Sequence, residues 1–251
     1  MNKIQFTSLK YYNSIISEEC LYVGILFNDL TTKKRTFKTI QNFKRLATFD
    51  DEIDIDFVKL YLQGIQYEIE NTLLNCRNEF QIEDYIRRYA NEFRFSKITT
   101  VETDDIDFVE NTSKLYLKFD YTKRHRLNKE EELRQIRTIL KSANIKYSSE
   151  PINGYYNETI RYDYVVNDYL IKLFSFEDKK KISKMTSSAR NWSFIADEVG
   201  DKYKTLFFYD TRLPDDPDYD VIIQILEKHA HRVFPIQEGL EFLITNHEKT
   251  A

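Results

Sequence analysis

The sequence predicts a mixed α+β chain in two parts, residues 1–124 and 125–251. Two observations carry this. Apolar segments of strand length, such as KIQFTSLKYY at 3–12 and CLYVGILFND at 20–29, are interleaved with stretches whose apolar residues recur every three or four positions. The basic run TKRHR at 122–126 stands just before a helix-start signature, which marks the junction. A chain of 251 residues also exceeds the usual size of one domain.

The first part is expected to be a small antiparallel-sheet α+β domain. KRTFKTI at 34–40 adds a third strand to the two above. A helix follows over 54–71, because Val58, Tyr61, Leu62, Ile65 and Ile69 fall on one helical face. EDYIRRYANEF at 83–93 predicts a second helix, FRFSKITT at 93–100 a strand, and DIDFVENTSKLYLKF at 105–119 another helix.

The second part reads as αβββαβαβα. Asn128 caps its first helix with Glu131 three residues on, in capping-box fashion, and Leu133, Ile136, Ile139, Leu140 and Ala143 form the apolar face. Three strands are expected in NIKYSS at 144–149, ETIRYDYVV at 158–166 and YLIKLFSF at 169–176. A long helix then turns Ile182, Met185, Ala189, Trp192, Ala196 and Val199 inward. KTLFFYD at 204–210 is a buried strand, followed by a helix from Pro217 to Ala230, the strand RVFPI at 232–236 and a last helix, EGLEFLIT at 238–245.

Composition narrows the function classes. The 18 Tyr and 18 Phe are enough to fill real cores. Cys20 and Cys76 lie far apart, are expected to be buried thiols, and fit a reducing compartment. No segment approaches the apolar length of a membrane span and none resembles an export signal, so a cytoplasmic protein is expected. The net charge is −4, and all of the acidic excess falls in residues 1–120. That balance is unlike a protein whose affinity rests on phosphate contacts. The sequence shows no Ser/His/Asp grouping, glycine-rich phosphate loop or pair of histidines at ligand spacing. His125, His229, His231 and His247 are read as structural, and Trp192 as core packing.

TIRYDYVVNDYLIKLFSF, residues 159–176, is the one stretch with a candidate chemistry. If Asn167-Asp168 is a two-residue turn, 166 faces 169 and Asp163 faces Lys172. An opposite-charge pair across a hairpin stabilises it by roughly 0.2–1 kcal/mol without any catalysis. Lys179, Lys180, Lys181, Lys184 and Arg190 cluster around the start of the following helix. There they form either a solvated face or an anion or nucleic-acid site.

The element order of the second part, with RYDYVV and Asp163, resembles a degenerate PD-(D/E)XK nuclease-like domain of the kind found in phages and other mobile elements. The resemblance implies an acid on the second core strand and an acid-x-Lys on the third, holding a divalent metal that activates water. Asp163 is the first acid and Lys172 the lysine, but Leu170 stands where the second acid belongs, leaving Glu158 as its substitute. No cofactor is expected; Mg²⁺ or Mn²⁺ enters only with the nuclease reading.

The first part resembles domain of unknown function family 3037, an uncharacterised bacterial family. The carrying residues are LKYYNSIISEECLYVGILF at 9–27, KRLATFDDEIDIDFVKLYLQGI at 44–65 and YANEFRFS at 89–96. The likeness spans roughly residues 4–120. It departs at Ser17-Glu18-Glu19, where the family usually has Arg-Gly-Glu, so no role of that arginine carries over. Its members tend to occur in mobile or defence-like settings.

The resulting expectation is a cytoplasmic, non-catalytic inhibitor or adaptor of a bacterium or phage, acting on a protein partner in phage–host conflict. A metal-dependent nuclease built on Glu158, Asp163 and Lys172 is the alternative. Nucleic-acid binding through the lysine cluster and the basic run at 123–126 is the second.

Overall fold

The computed structural model describes residues 1–14, 19–71, 80–176, 182–210 and 217–248. Its fold is mixed α+β, and the chain divides into two compact units, Met1–Ala143 and Asn144–Ala251. Among the described residues, no helix is long and apolar enough to cross a membrane.

The first unit runs β1 (Asn2–Tyr11), β2 (Leu21–Asp29), β3 (Arg35–Thr39), α1 (Lys44–Phe49), α2 (Ile55–Asn71), α3 (Ile82–Ile86), β4 (Phe93–Phe95), β5 (Thr99–Thr103), α4 (Phe108–Tyr116), a 3-10 turn (Lys118–Asp120) and α5 (Lys129–Ser142). The sheet is antiparallel in order β3-β2-β1, and β1 pairs on its other edge with β4 and β5. Residues 6–11 of β1 are all buried, because both faces of the sheet are covered. Leu9, Tyr11, Val23 and Phe37 meet Val58, Leu62, Ile65 and Ile69 of α2. On the opposite face Phe6 stacks on Phe27 and packs edge-on against Phe108 and Tyr116 of α4.

Several expectations are corrected here. Residues 93–100 form no single strand. The chain steps at Ser96, whose N–H donates to the Ser8 carbonyl and whose hydroxyl meets Thr7 and Ser8, so that β4 and β5 pair with different halves of β1. The helix expected over 83–93 stops at Ile86, since Ala90 bridges Arg94 and the Glu92 carbonyl accepts from the Tyr12 N–H. The short helix α1 was not foreseen. The units divide after Ala143, so α5, expected to open the second part, belongs to the first. Its capping box forms as read, with Asn128 and Glu131 bonded reciprocally. Its buried polar residues explain the placement: Glu132 pairs with Lys118 at 2.6 Å and Gln135 donates to Thr112 at 2.8 Å. Buried polar groups require such partners, and these lie in the first unit. Cys20 is partly exposed rather than buried, and Cys76 lies outside the described residues.

The second unit runs β6 (Ile152–Asn153), β7 (Thr159–Ile160), β8 (Tyr164–Val166), β9 (Tyr169–Phe174), α6 (Ile182–Glu198), β10 (Lys204–Tyr209), α7 (Pro217–Glu227), β11 (Arg232–Pro235) and α8 (Ile236–Glu248). The sheet order is β11-β10-β9-β8; β9, β10 and β11 are parallel, and β8 is antiparallel to β9. Phe207 faces a core shared with Ala189 and Ala196 of α6 and Tyr219, Ile222 and Leu226 of α7. Phe208, pointing the other way, lies under Gly239 of α8. The strand expected at 144–149 reduces to one bridge between Ser148 and Val165. The strand expected at 158–166 splits: Ile160 pairs with Ile152 in a separate hairpin, and only 164–166 join the main sheet.

The glycine positions give one pair of expected outcomes. A Cβ at Gly239 collides with the buried Phe208 ring, whereas one at Gly64 of α2 meets nothing within 4 Å. Gly239→Ala lowers stability by about 1–3 kcal/mol through overpacking. Gly64→Ala raises it by about 0.5–1 kcal/mol through helix propensity. Urea unfolding midpoints of the two variants measure this.

Three wholly or partly buried tyrosines give a second. Burial pushes the Tyr89, Tyr121 and Tyr162 hydroxyls up to about 12. In the unfolded chain they titrate near their ordinary value of about 10, so the folded state keeps protons that the unfolded state loses. Their contribution is complete below about pH 10 and is lost as pH rises towards about 12. Alkaline unfolding curves, followed with tyrosinate absorbance, should show tyrosines that ionise only as the chain unfolds.

Candidate functional site

The β8–β9 hairpin turns at Asn167-Asp168, pairing Val166 with Tyr169, Val165 with Leu170 and Tyr164 with Ile171. Asn167 takes a left-handed φ of 52°, as the first central residue of a tight hairpin turn requires. The ladder continues through the Asp163 N–H, which donates to the Ile171 carbonyl. This register carries Asp163 to Lys172, whose Nζ lies 3.3 Å from Oδ2. The same oxygen accepts the Leu173 N–H at 2.8 Å. The two side chains are 14% and 18% exposed. Above them the Lys172 ammonium sits 4.6 Å from the centre of the Trp192 ring, itself edge-on to Tyr162.

In this arrangement the two charges are paired with each other. One carboxylate oxygen is shared between a cation and a backbone donor, and the cation also faces an aromatic ring. Leu170, at the position of the missing acid, is fully buried with Ile160, Tyr162 and Val199. A carboxylate there would be buried among apolar side chains. Glu158 lies in the β6–β7 hairpin, where its Oε2 accepts the Tyr156 N–H at 2.9 Å and its carboxylate folds over Gly154. It therefore closes its own turn. Among the described residues, no group of three or more His, Cys, Asp or Glu side chains is placed to hold a metal.

Of the basic cluster, Lys184 and Arg190 are exposed on α6. Six residues apart, they point about 120° from one another around the helix. Lys179, Lys180 and Lys181 lie outside the described residues. Trp192 is partly buried and packs against both apolar clusters of the second unit. His229 pairs through Nδ1 with Asp197 at 2.9 Å, and His125 shares a hydrogen bond with Thr122.

A different surface emerges on α2, where sequence reading identified only the inward face. Phe57, Leu60 and Tyr67 are 59%, 69% and 70% exposed. With Gly64 they are spaced three, four and three residues apart, forming a stripe on the side away from Val58, Leu62, Ile65 and Ile69. Phe57 lies nearly parallel to Tyr61, ring centres 6.0 Å apart, which widens the apolar surface at its N-terminal end. The signal was present as apolar residues left over once the core-facing set had been removed.

No family model matches the chain, and neither does any curated protein or solved structure.

The hairpin geometry sets two unequal costs. Asp163→Ala leaves the Leu173 N–H and the Lys172 ammonium without their acceptor and costs about 1–3 kcal/mol. Lys172→Met keeps the alkyl packing and leaves the Leu173 N–H its acceptor, and loses the cross-strand charge pair and the contact with the Trp192 ring, each about 1 kcal/mol or less. Denaturant unfolding of both single variants checks the order, and the double variant checks their coupling.

Proposed function

We propose that the chain is a non-catalytic interaction protein, an inhibitor or adaptor that works by holding a protein partner. The observation that carries this reading is the exposed stripe on α2. Large apolar side chains aligned on an outward helix face, with the inward face already filling a core, are the usual mark of a docking surface. The paired state of Asp163 and the burial of Leu170 weigh in the same direction. The exposed Tyr155 and Tyr156 at the β6–β7 turn add aromatic surface of the kind favoured at interfaces. The setting we propose is the cytoplasm of a bacterium or its phage, in phage–host or mobile-element conflict. That setting rests on the sequence alone, on the likeness of residues 4–120 to family 3037 and of the second part to degenerate nuclease-like domains, and no family model match adds to it.

The nuclease reading has one observation in its favour: the order and directions of β8, β9 and β10 fit that core. It requires Glu158, Asp163 and Lys172 to act with Mg²⁺ or Mn²⁺. Incubation with DNA and RNA in either metal is expected to leave both intact; cleavage abolished by Asp163→Ala would establish the nuclease instead. Nucleic-acid binding through Lys179–Lys181, Lys184 and Arg190 would show as affinity falling steeply with salt.

The test of the main reading is purification of the tagged chain from its native host after nuclease treatment, beside the Leu60→Asp variant. A stoichiometric protein is expected with the first and its loss with the second, at unchanged circular dichroism. Retention by both, or by neither, contradicts the reading.

A further inference from the structure

The charge around the α2 stripe narrows the partner, and this step rests on the protein-binding reading above. Asp51, Glu52, Asp54 and Asp56 are exposed at the N-terminal end of the stripe, and Glu68 and Glu70 are exposed at the other. The single base within α2, Lys59, is held by Asp56 at 2.9 Å. Arg88 lies 3.6 Å from Glu68, which also accepts from the Tyr85 hydroxyl, and Glu70 accepts the Phe37 N–H at 3.0 Å, so the acids at that end are the weaker of the two sets. The apolar stripe is therefore bordered by acids at both ends.

The shape narrows it further. From Phe57 to Tyr67 the stripe covers ten helical steps, about 15 Å, and occupies an arc of about 80°. Gly64 leaves a hole between Leu60 and Tyr67, with no atom within 4 Å of a Cβ placed there. Apolar residues at three-four spacing around a hole match the knobs of a second helix. An added β-strand would need a sheet edge, which this face lacks.

We infer that the outer face of α2 docks a basic amphipathic helix of the partner, its apolar residues set around Gly64 and its lysines and arginines against the acids at either end. A second copy of this chain is disfavoured as the occupant. In either orientation it would bring Asp51, Glu52, Asp54, Asp56, Glu68 and Glu70 against one another, and like charges across an interface are repulsive. The same acids repel nucleic acid and anionic lipid headgroups.

Three synthetic helical peptides of about four turns test this on the full chain by fluorescence anisotropy. One has a leucine face with Lys/Arg flanks, one the same face with Glu flanks, and one a serine face with Lys/Arg flanks. The first is expected to bind at least about tenfold tighter than the other two, and to weaken as salt screens the flanking charges. Leu60→Asp and Gly64→Leu are each expected to reduce that affinity at least about tenfold, with the chain still folded and, for Gly64→Leu, an unfolding midpoint no lower than the parent's. The leucine variant matters because it keeps the helix and the apolar character and only fills the hole.

Equal binding of the acidic and basic peptides, binding of neither, or binding unaffected by either variant overturns the inference. So does a dimer in sedimentation that Leu60→Asp dissociates. If the peptides fail while a Leu60-dependent protein still co-purifies from the host, the basic-helix inference falls and the protein-binding reading stands. If both fail, both fall.

Discussion

The first unit depends on one constraint, that β1 is paired on both edges and covered on both faces. Residues 6–11 are buried without interruption. An amphipathic helix must then pack on each side, and α2 supplies one of them through Val58, Leu62, Ile65 and Ile69. That packing fixes the rotation of α2. With its core-facing side chains committed, Phe57, Leu60 and Tyr67 have no inward position left and stand in solvent. The core thus sets which side of α2 the stripe occupies.

In the second unit, the two residues that suggested chemistry in the sequence are paired with each other. Asp163 and Lys172 face each other because the hairpin register makes them neighbours. The carboxylate also satisfies the Leu173 N–H, and the ammonium lies over Trp192. Each of these contacts engages a group on which the nuclease reading relies. The buried Leu170 completes the point, since its neighbours are apolar on every side named above.

Much of this was legible in the sequence where a local rule decides the outcome. The capping box at Asn128 and Glu131 formed as read, and the Asn-Asp turn set the hairpin register that pairs Asp163 with Lys172. Long-range satisfaction was not legible. Nothing local says that Glu132 needs Lys118 or Gln135 needs Thr112, so the helix carrying them was assigned to the wrong side of the junction. The split of 93–100 had the same origin, because two short strands share β1. The α2 surface was missed for a simpler reason: a helical period finds the larger apolar face, and a second set of apolar residues on the other side falls out of the count.

The most direct measurement places a photo-crosslinking residue at Gln63, exposed beside the stripe, with a control at exposed Arg137 on α5, both expressed in the native host. The account predicts one protein adduct from position 63 and none of that species from 137. The linked peptide should carry lysines or arginines flanking an apolar helical repeat. An adduct only to nucleic acid or to a second copy of the chain would contradict it, as would the same adduct from both positions or no adduct from position 63.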